Sequence, residues 1–351
     1  MRFLLLNALK TPETLVSLTE TEWDWLIRAA RVTRLLGRLS ESAHKIGLEP
    51  NLPPPIRRRL KTARQIAAEK TQRMDWELTW LERCLQPLQV PVILLKGAAY
   101  RRGALPCQTG RESNDIDLLL DKTHLPFAEK ALLDARYVWK ELLPRDQKYF
   151  RDWLHELPPL FHRYRKLEVD VHHAVLPLTD TLVFPTNRLI ANCRPLPSGP
   201  FSLLAPADMA LHSACHLFRN GRYQHALRDL HDLSLLCEHF VQESPAFWQD
   251  LADRAHDFHA QEPTFLGLSA IRTYFGASVP DQILKTLQPP GFLRARVAMI
   301  QKLLDAAIIP PDTDNISVKR RLAITALAHY PLPRWRTMCS ANFWLKRLGG
   351  D

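Results

Sequence analysis

Along most of the chain, apolar residues recur at three- and four-residue spacings, the period of helices that bury one face. Residues 12–48 read this way, with Trp23, Leu26, Ile27, Ala30 and Leu35 on the stripe and Thr19 or Thr21 as the cap. Pro53, Pro54 and Pro55 interrupt the pattern. A longer helix is expected over 56–85, ended by Pro87 and Pro91, with Trp76 and Trp80 packing one turn apart. Two apolar runs follow, at 92–95 and at 116–120, the second interrupted only by Asp117. Runs of that length predict strands covered on both faces. A helix is expected to begin at 98–102, and a loop with Gly103, Pro106 and Gly110 fills 103–114. The next helix is expected over 125–135, with Thr123 as its cap and Pro126 in its first turn. Shorter strand patterns occupy 137–142, 161–164 and 167–171. The last two read as a hairpin around Arg165 and Lys166, a turn without the usual glycine or asparagine. Residues 174–203 are proline-rich and aperiodic and predict a linker. Helical spacing then returns over 206–218, 223–240, 245–260, 262–276, 280–287 and 291–307.

This succession predicts an α+β protein. Its expected parts are an N-terminal helical region (1–88), a sheet-bearing core (89–175), a linker (176–204) and a C-terminal helical domain (205–351).

Composition changes this picture little. The 351 residues suffice for two or three domains, and 46% hydrophobic with 24% charged residues is ordinary for a globular chain. Twelve glycines against 27 prolines favour helices cut by prolines over a glycine-rich β protein. A net charge of +10 makes a polyanionic partner chemically reasonable, whether nucleotide, nucleic acid or membrane surface. The basic clusters are Arg57, Arg58, Arg59, Lys61 and Arg64, and a tail with Lys319, Arg320, Arg321, Arg334, Trp335, Arg336, Trp344, Lys346 and Arg347. A solvated helix face accounts for the first cluster better than nucleic acid does, and interleaving like that of the second is common at helical tails. The six cysteines, at 84, 107, 193, 215, 237 and 339, form no CxxC pair and predict neither a zinc knuckle nor a disulfide framework. The first ten residues carry no recognisable cleavage site or membrane span, so a soluble, cytoplasmic protein is expected.

The chemistry concentrates at the second apolar run. Side chains two apart on a strand share a face, so Asp115 and Asp117 point one way while Ile116 points into the core. Two carboxylates at the open end of a buried strand suit Mg²⁺, which takes few carboxylates and completes its shell with phosphate and water oxygens. Asp170 supplies a third acid from the short run Leu167–Val171. Strand parity puts His172 on the side of Asp170, where it either touches the site or holds a structural hydrogen bond. His212 and His216 lie one turn apart as a zinc pair would, but no HExxH motif accompanies them, and packing beside the site is expected.

Leu94-Leu-Lys-Gly97, then Arg111 with Asp115-Ile-Asp-Leu-Leu119, then Val169-Asp-Val-His172, resembles a bacterial nucleotidyltransferase family within the superfamily that includes DNA polymerase beta. Leu204–Asp208, Leu211–His216 and Leu227–Leu233 are similar to the family's later helices, so the likeness covers roughly residues 60–240. It implies a polymerase-beta-like core, a small mixed sheet with helices, flanked by helical regions. It implies transfer of a nucleotidyl group from a nucleoside triphosphate to an acceptor hydroxyl, with Mg²⁺ or Mn²⁺ held by Asp115, Asp117 and Asp170. Lys96, Gly97, Arg111 and Ser113 would meet the nucleotide, and His172 and His216 would stand beside the site. The acceptor would be a small molecule, a protein or an RNA end. A nucleotide- or partner-binding scaffold and an RNA-modifying toxin are the other functions open to such a chain. Two departures bear on triphosphate grip: Ala98 stands where the superfamily has a small hydroxyl residue, and the interval from Gly97 to Asp115 is longer than usual.

Overall fold

The computed structural model describes residues 3–308, apart from 144–146, 149, 152–153, 179, 181, 183 and 220–224. The basic, aromatic tail at 319–347 and Cys339 lie outside the described residues.

The two apolar runs make adjacent central strands. β1 (Val92–Leu95) is buried at every position, and β2 (Asp115–Leu119) is buried at all but its first. They pair antiparallel, with Leu95 opposite Asp117. Outward from β2 lie β5 (Glu168–His172), β4 (Leu160–His162) and β3 (Tyr137–Trp139). Beyond β1 lie β7 (Phe201–Leu203) and β6 (Arg194–Pro195), completing a mixed seven-stranded sheet in the order 3-4-5-2-1-7-6. β5 runs parallel to β2 and sets Asp170 opposite Asp117. The expected hairpin forms between β4 and β5. Lys166 occupies the left-handed region its turn requires, at φ 61°, in place of the usual glycine.

The helices follow the apolar stripe. Thr19 caps Glu20–Val32 through a reciprocal box with Glu22. Pro54 opens the 32-residue helix Pro54–Leu85, its missing N–H costing nothing at a helix start. The N-terminal apolar run, given no element by its pattern, forms a helix, Leu4–Lys10, with Leu5, Leu6, Ala8 and Leu9 inward. Pro206–Arg219 packs against Ala226–Glu243, Phe247–Asp257 and Gln261–Phe275. One contiguous apolar core takes in side chains from Leu5 to Leu304. Among the described residues no helix is long and apolar enough to cross a membrane. Cys84, Cys107, Cys193, Cys215 and Cys237 are free thiols.

Four expectations need correction. The proline-rich stretch is more than a linker: it holds a helix, Thr186–Ala191, and the strands β6 and β7. β7 pairs parallel with β1, so this segment closes one flank of the central sheet. Trp76 and Trp80 do not pack into the core; they are 61% and 40% exposed, and Arg83 and Arg165 lie over the Trp80 ring instead. Thr123 does not cap the helix Leu125–Asp134; its backbone N–H and hydroxyl both donate to Asp121 Oδ1. The strand expected over 137–142 stops at Trp139: Lys140 N still donates to Pro159 O at 2.8 Å, but the proline has no N–H to return the bond.

Candidate active site

The sheet register gathers acids at one end. Asp115 and Asp117 share a face of β2, and the parallel pairing puts Glu168 and Asp170 of β5 on the same face beside them. Asp115 is exposed, whereas Asp117 is buried. At the end of β1 the chain turns through Lys96, a non-glycine residue at φ 45°, and starts the helix Lys96–Arg102. That conformation is rare for a residue with a Cβ and costs on the order of 1 kcal/mol. It sends Lys96 Nζ to Asp117 Oδ1 at 2.8 Å.

Asp117 Oδ1 also meets His172 Nε2 at 3.0 Å. Burial alone would raise the Asp117 carboxyl, but Lys96 and His172 outweigh it and hold the group well below the usual carboxylate range. The carboxylate is therefore ionised and accepts only, so Nε2 of His172 carries the proton. Lys96 shows the mirror image: burial opposes its charge, while Asp117 and Asp115 keep it above its ordinary value. Asp170 differs from both. Its Oδ1 is buried with no hydrogen-bond partner. Burial first, then the charges of Asp117 and Glu156, push its carboxyl up to about 8.

The residues proposed for nucleotide contact also converge. A Cβ placed on Gly97 would lie 2.2 Å from Ser113 Oγ and 2.6 Å from Arg111 Nη1, so glycine is what lets both side chains reach this turn. Lys70, Thr71, Met74, Arg101 and Gln108 close around Gly97, Arg111 and Ser113 in a narrow cavity next to Lys96. Arg111 is less free than its position before the aspartates suggested. Its Nε donates to Asp232 Oδ2 at 2.7 Å, and its Nη1 donates to Ser113 Oγ. Burial works against this guanidinium, and Asp232 more than restores its charge.

Asp232 binds a second guanidinium as well, since Arg38 Nη2 donates to its Oδ1 at 2.7 Å. Arg38 Nη2 also donates to the carbonyl of Cys107 at 2.5 Å, tying the 103–114 loop to the helix Leu36–Lys45. The loop can approach that helix because two glycines meet there. A Cβ on Gly110, which sits at φ 62°, would lie 2.6 Å from Arg38 Cα, and one on Gly37 would lie 2.7 Å from the Gly110 carbonyl oxygen.

Histidines frame the acids. Burial, with the charge of Lys96 next, lowers His212 to about 3 and holds His216 well below its ordinary value, so both are neutral. Their rings are 6.1 Å apart on the helix Pro206–Arg219. The His155 ring lies 5.1 Å from that of His172 and is held down to about 2, chiefly by burial. Glu156 Oε2 stands 3.4 Å from His172 Nδ1. Neither His155 nor Glu156 was singled out from the sequence, because the 144–159 stretch shows no periodicity and no spaced motif. Arg38 and the pairing role of Asp232 were missed too, since the contact joins residues 194 apart.

An oxygen-rich cluster with one unpartnered buried carboxylate oxygen suits a hard divalent cation, and the glycine turn beside it leaves room for an anion's backbone approach. Residues 19–276 match the model of a family described as an uncharacterised nucleotidyltransferase. No curated protein and no solved structure matches the chain.

Proposed function

Because the chain belongs to this uncharacterised nucleotidyltransferase family, we propose that the acidic end of β2 and β5 is where a nucleoside triphosphate reacts. The observation that carries the reading is the parallel register setting Asp117 against Asp170, with Asp115 two residues before on the same face. This arrangement is consistent with a polymerase-beta-like core. Asp115, Asp117 and Asp170 would hold Mg²⁺ or Mn²⁺, which when bound stabilises the attacking and leaving oxygens of an in-line displacement. Asp170 fits that part, since its Oδ1 is buried beside Asp117 with no hydrogen-bond partner of its own.

The remaining groups have separable tasks. Lys96 holds the Asp117 carboxylate in place and brings positive charge to the turn. His172 donates through Nε2 to the same oxygen and fixes its direction. Gly97 opens the turn to the triphosphate. Ser113 supplies beside Gly97 the hydroxyl that Ala98 lacks, because Ala98 is itself buried. Arg111 would orient Ser113 and add field, while its main partner remains Asp232. The acceptor hydroxyl belongs to a small molecule, a protein or an RNA end.

The test uses the full chain with each labelled triphosphate, Mg²⁺ and a cell extract. Pyrophosphate release with label in one acceptor fraction is the expected result, and label in bulk tRNA would identify an RNA-modifying activity. Binding without turnover would point to a scaffold, and an Asp117→Ala variant with wild-type transfer would overturn the assignment.

A further inference from the structure

We propose that His155, Glu156 and His172 form a second cation site, distinct from the three aspartates and suited to a borderline divalent ion such as Zn²⁺. One potential ligand atom from each residue lies within 4.8 Å of the others. The main chain fixes this grouping. Glu156 and His172 face each other across an antiparallel bridge, Leu157 N donates to Val171 O at 2.9 Å, and His173 N donates to His155 O at 2.8 Å.

The hydrogen bonding points to an ion between them. His172 faces Asp117 through Nε2, which leaves Nδ1, 3.4 Å from Glu156 Oε2, as the ring atom placed to bind an ion. A proton or a metal ion can join that pair. A proton would join two atoms; a metal ion joins three, and the third is present in His155, whose Nδ1 is buried with no hydrogen-bond partner. Tetrahedral bonds of about 2.0–2.1 Å put neighbouring ligand atoms about 3.3–3.4 Å apart, the separation His172 and Glu156 already have. Two imidazoles and one carboxylate select zinc-like ions over Mg²⁺, which prefers oxygen throughout.

Asp117 then plays a part that metal sites commonly need. A carboxylate on the far nitrogen of a ligating histidine fixes its tautomer and strengthens the ligand. Here the same carboxylate belongs to the aspartate cluster, so an ion at His155, Glu156 and His172 would stiffen the placement of Asp117. The site is one of position, with three protein ligands and a fourth place for water.

The test is independent of any transfer activity. Chelator-treated full-length protein is titrated with Co²⁺ and followed by its visible absorption. One equivalent with the intense bands of a four-coordinate ion, displaced by Zn²⁺, is expected. His155→Ala and Glu156→Gln should each weaken Co²⁺ binding at least about tenfold, with helix content and melting checked by circular dichroism. Asp115→Asn should leave the titration unchanged. Absence of the bands overturns the proposal. So does loss of binding in Asp115→Asn with retention in Glu156→Gln, which would place the ion among the aspartates.

Discussion

Asp117 and Asp232 are buried to almost the same degree, 3% and 1% exposed, and both are ionised. Their surroundings differ in balance. Asp232 has a guanidinium on each oxygen, from Arg38 and Arg111, and both arginines are themselves buried. Asp117 shares its face with Asp115, Asp170 and Glu168, and Lys96 and His172 both bind the same one of its oxygens. The first cluster is closed and complete, the mark of a structural device. The second crowds several carboxyl groups on one face around Lys96 and His172, and such crowding is sustained where an external cation completes it.

The largest effect should come from opening the closed cluster. Asp232→Ala leaves two guanidiniums buried without a counterion and should cost about 3–5 kcal/mol in chemical denaturation. A loss below about 1 kcal/mol would show that water reaches the pair, and the contrast drawn above would fail.

Asp115→Asn attacks the other cluster where it supports no folding contact. Transfer should fall by about 10³-fold, equivalent to about 4 kcal/mol, with an unchanged melting temperature. Retained transfer would remove Asp115 from the reaction.

Asp170→Asn should stabilise the metal-free protein. Its carboxyl stands at about 8 in the fold, above the ordinary carboxylate value, so the folded chain holds a proton that the unfolded chain releases. That contribution is complete at pH below the ordinary value near 4 and disappears as pH rises to about 8. Wild-type stability should therefore decline across that window, while the variant stays flat and gains on the order of 2 kcal/mol by neutral pH. Parallel pH curves for the two proteins would show that Asp170 has no such burden.

Gly97→Ala should cost folding about 1 kcal/mol, because the new methyl pushes against Ser113 Oγ and the Arg111 guanidinium. The nucleotide KM should rise as well. An unchanged KM would separate the glycine turn from substrate binding.

Much of this arrangement is readable from the residues. The runs 92–95 and 116–120 identify the two central strands because unbroken burial leaves little choice of element. Parity puts Asp115 with Asp117 and Asp170 with His172, and the parallel register then brings the two pairs to one face. What escaped the reading has a common cause, which is that local pattern does not encode distant partners. β7 has three residues in a proline-rich stretch, and only pairing with β1 makes it a strand. Trp76 and Trp80 keep helical spacing, yet Leu78, Leu81 and Leu85 occupy the inward stripe, so the rings face outward among arginines. Arg111 reads as a phosphate ligand until Asp232, 121 residues on, is brought against it.

The junction of β1 and β7 sets a condition on the order of assembly. Val92–Leu95 is synthesised long before Phe201–Leu203, and until that later segment docks, one side of an entirely apolar strand offers unpaired backbone to any neighbour. Long-range pairing of this sort is slow, which lengthens the exposure. Nascent or clipped chains ending before residue 201 should therefore aggregate through this edge, and a peptide spanning 194–204 should suppress that association by taking the open place.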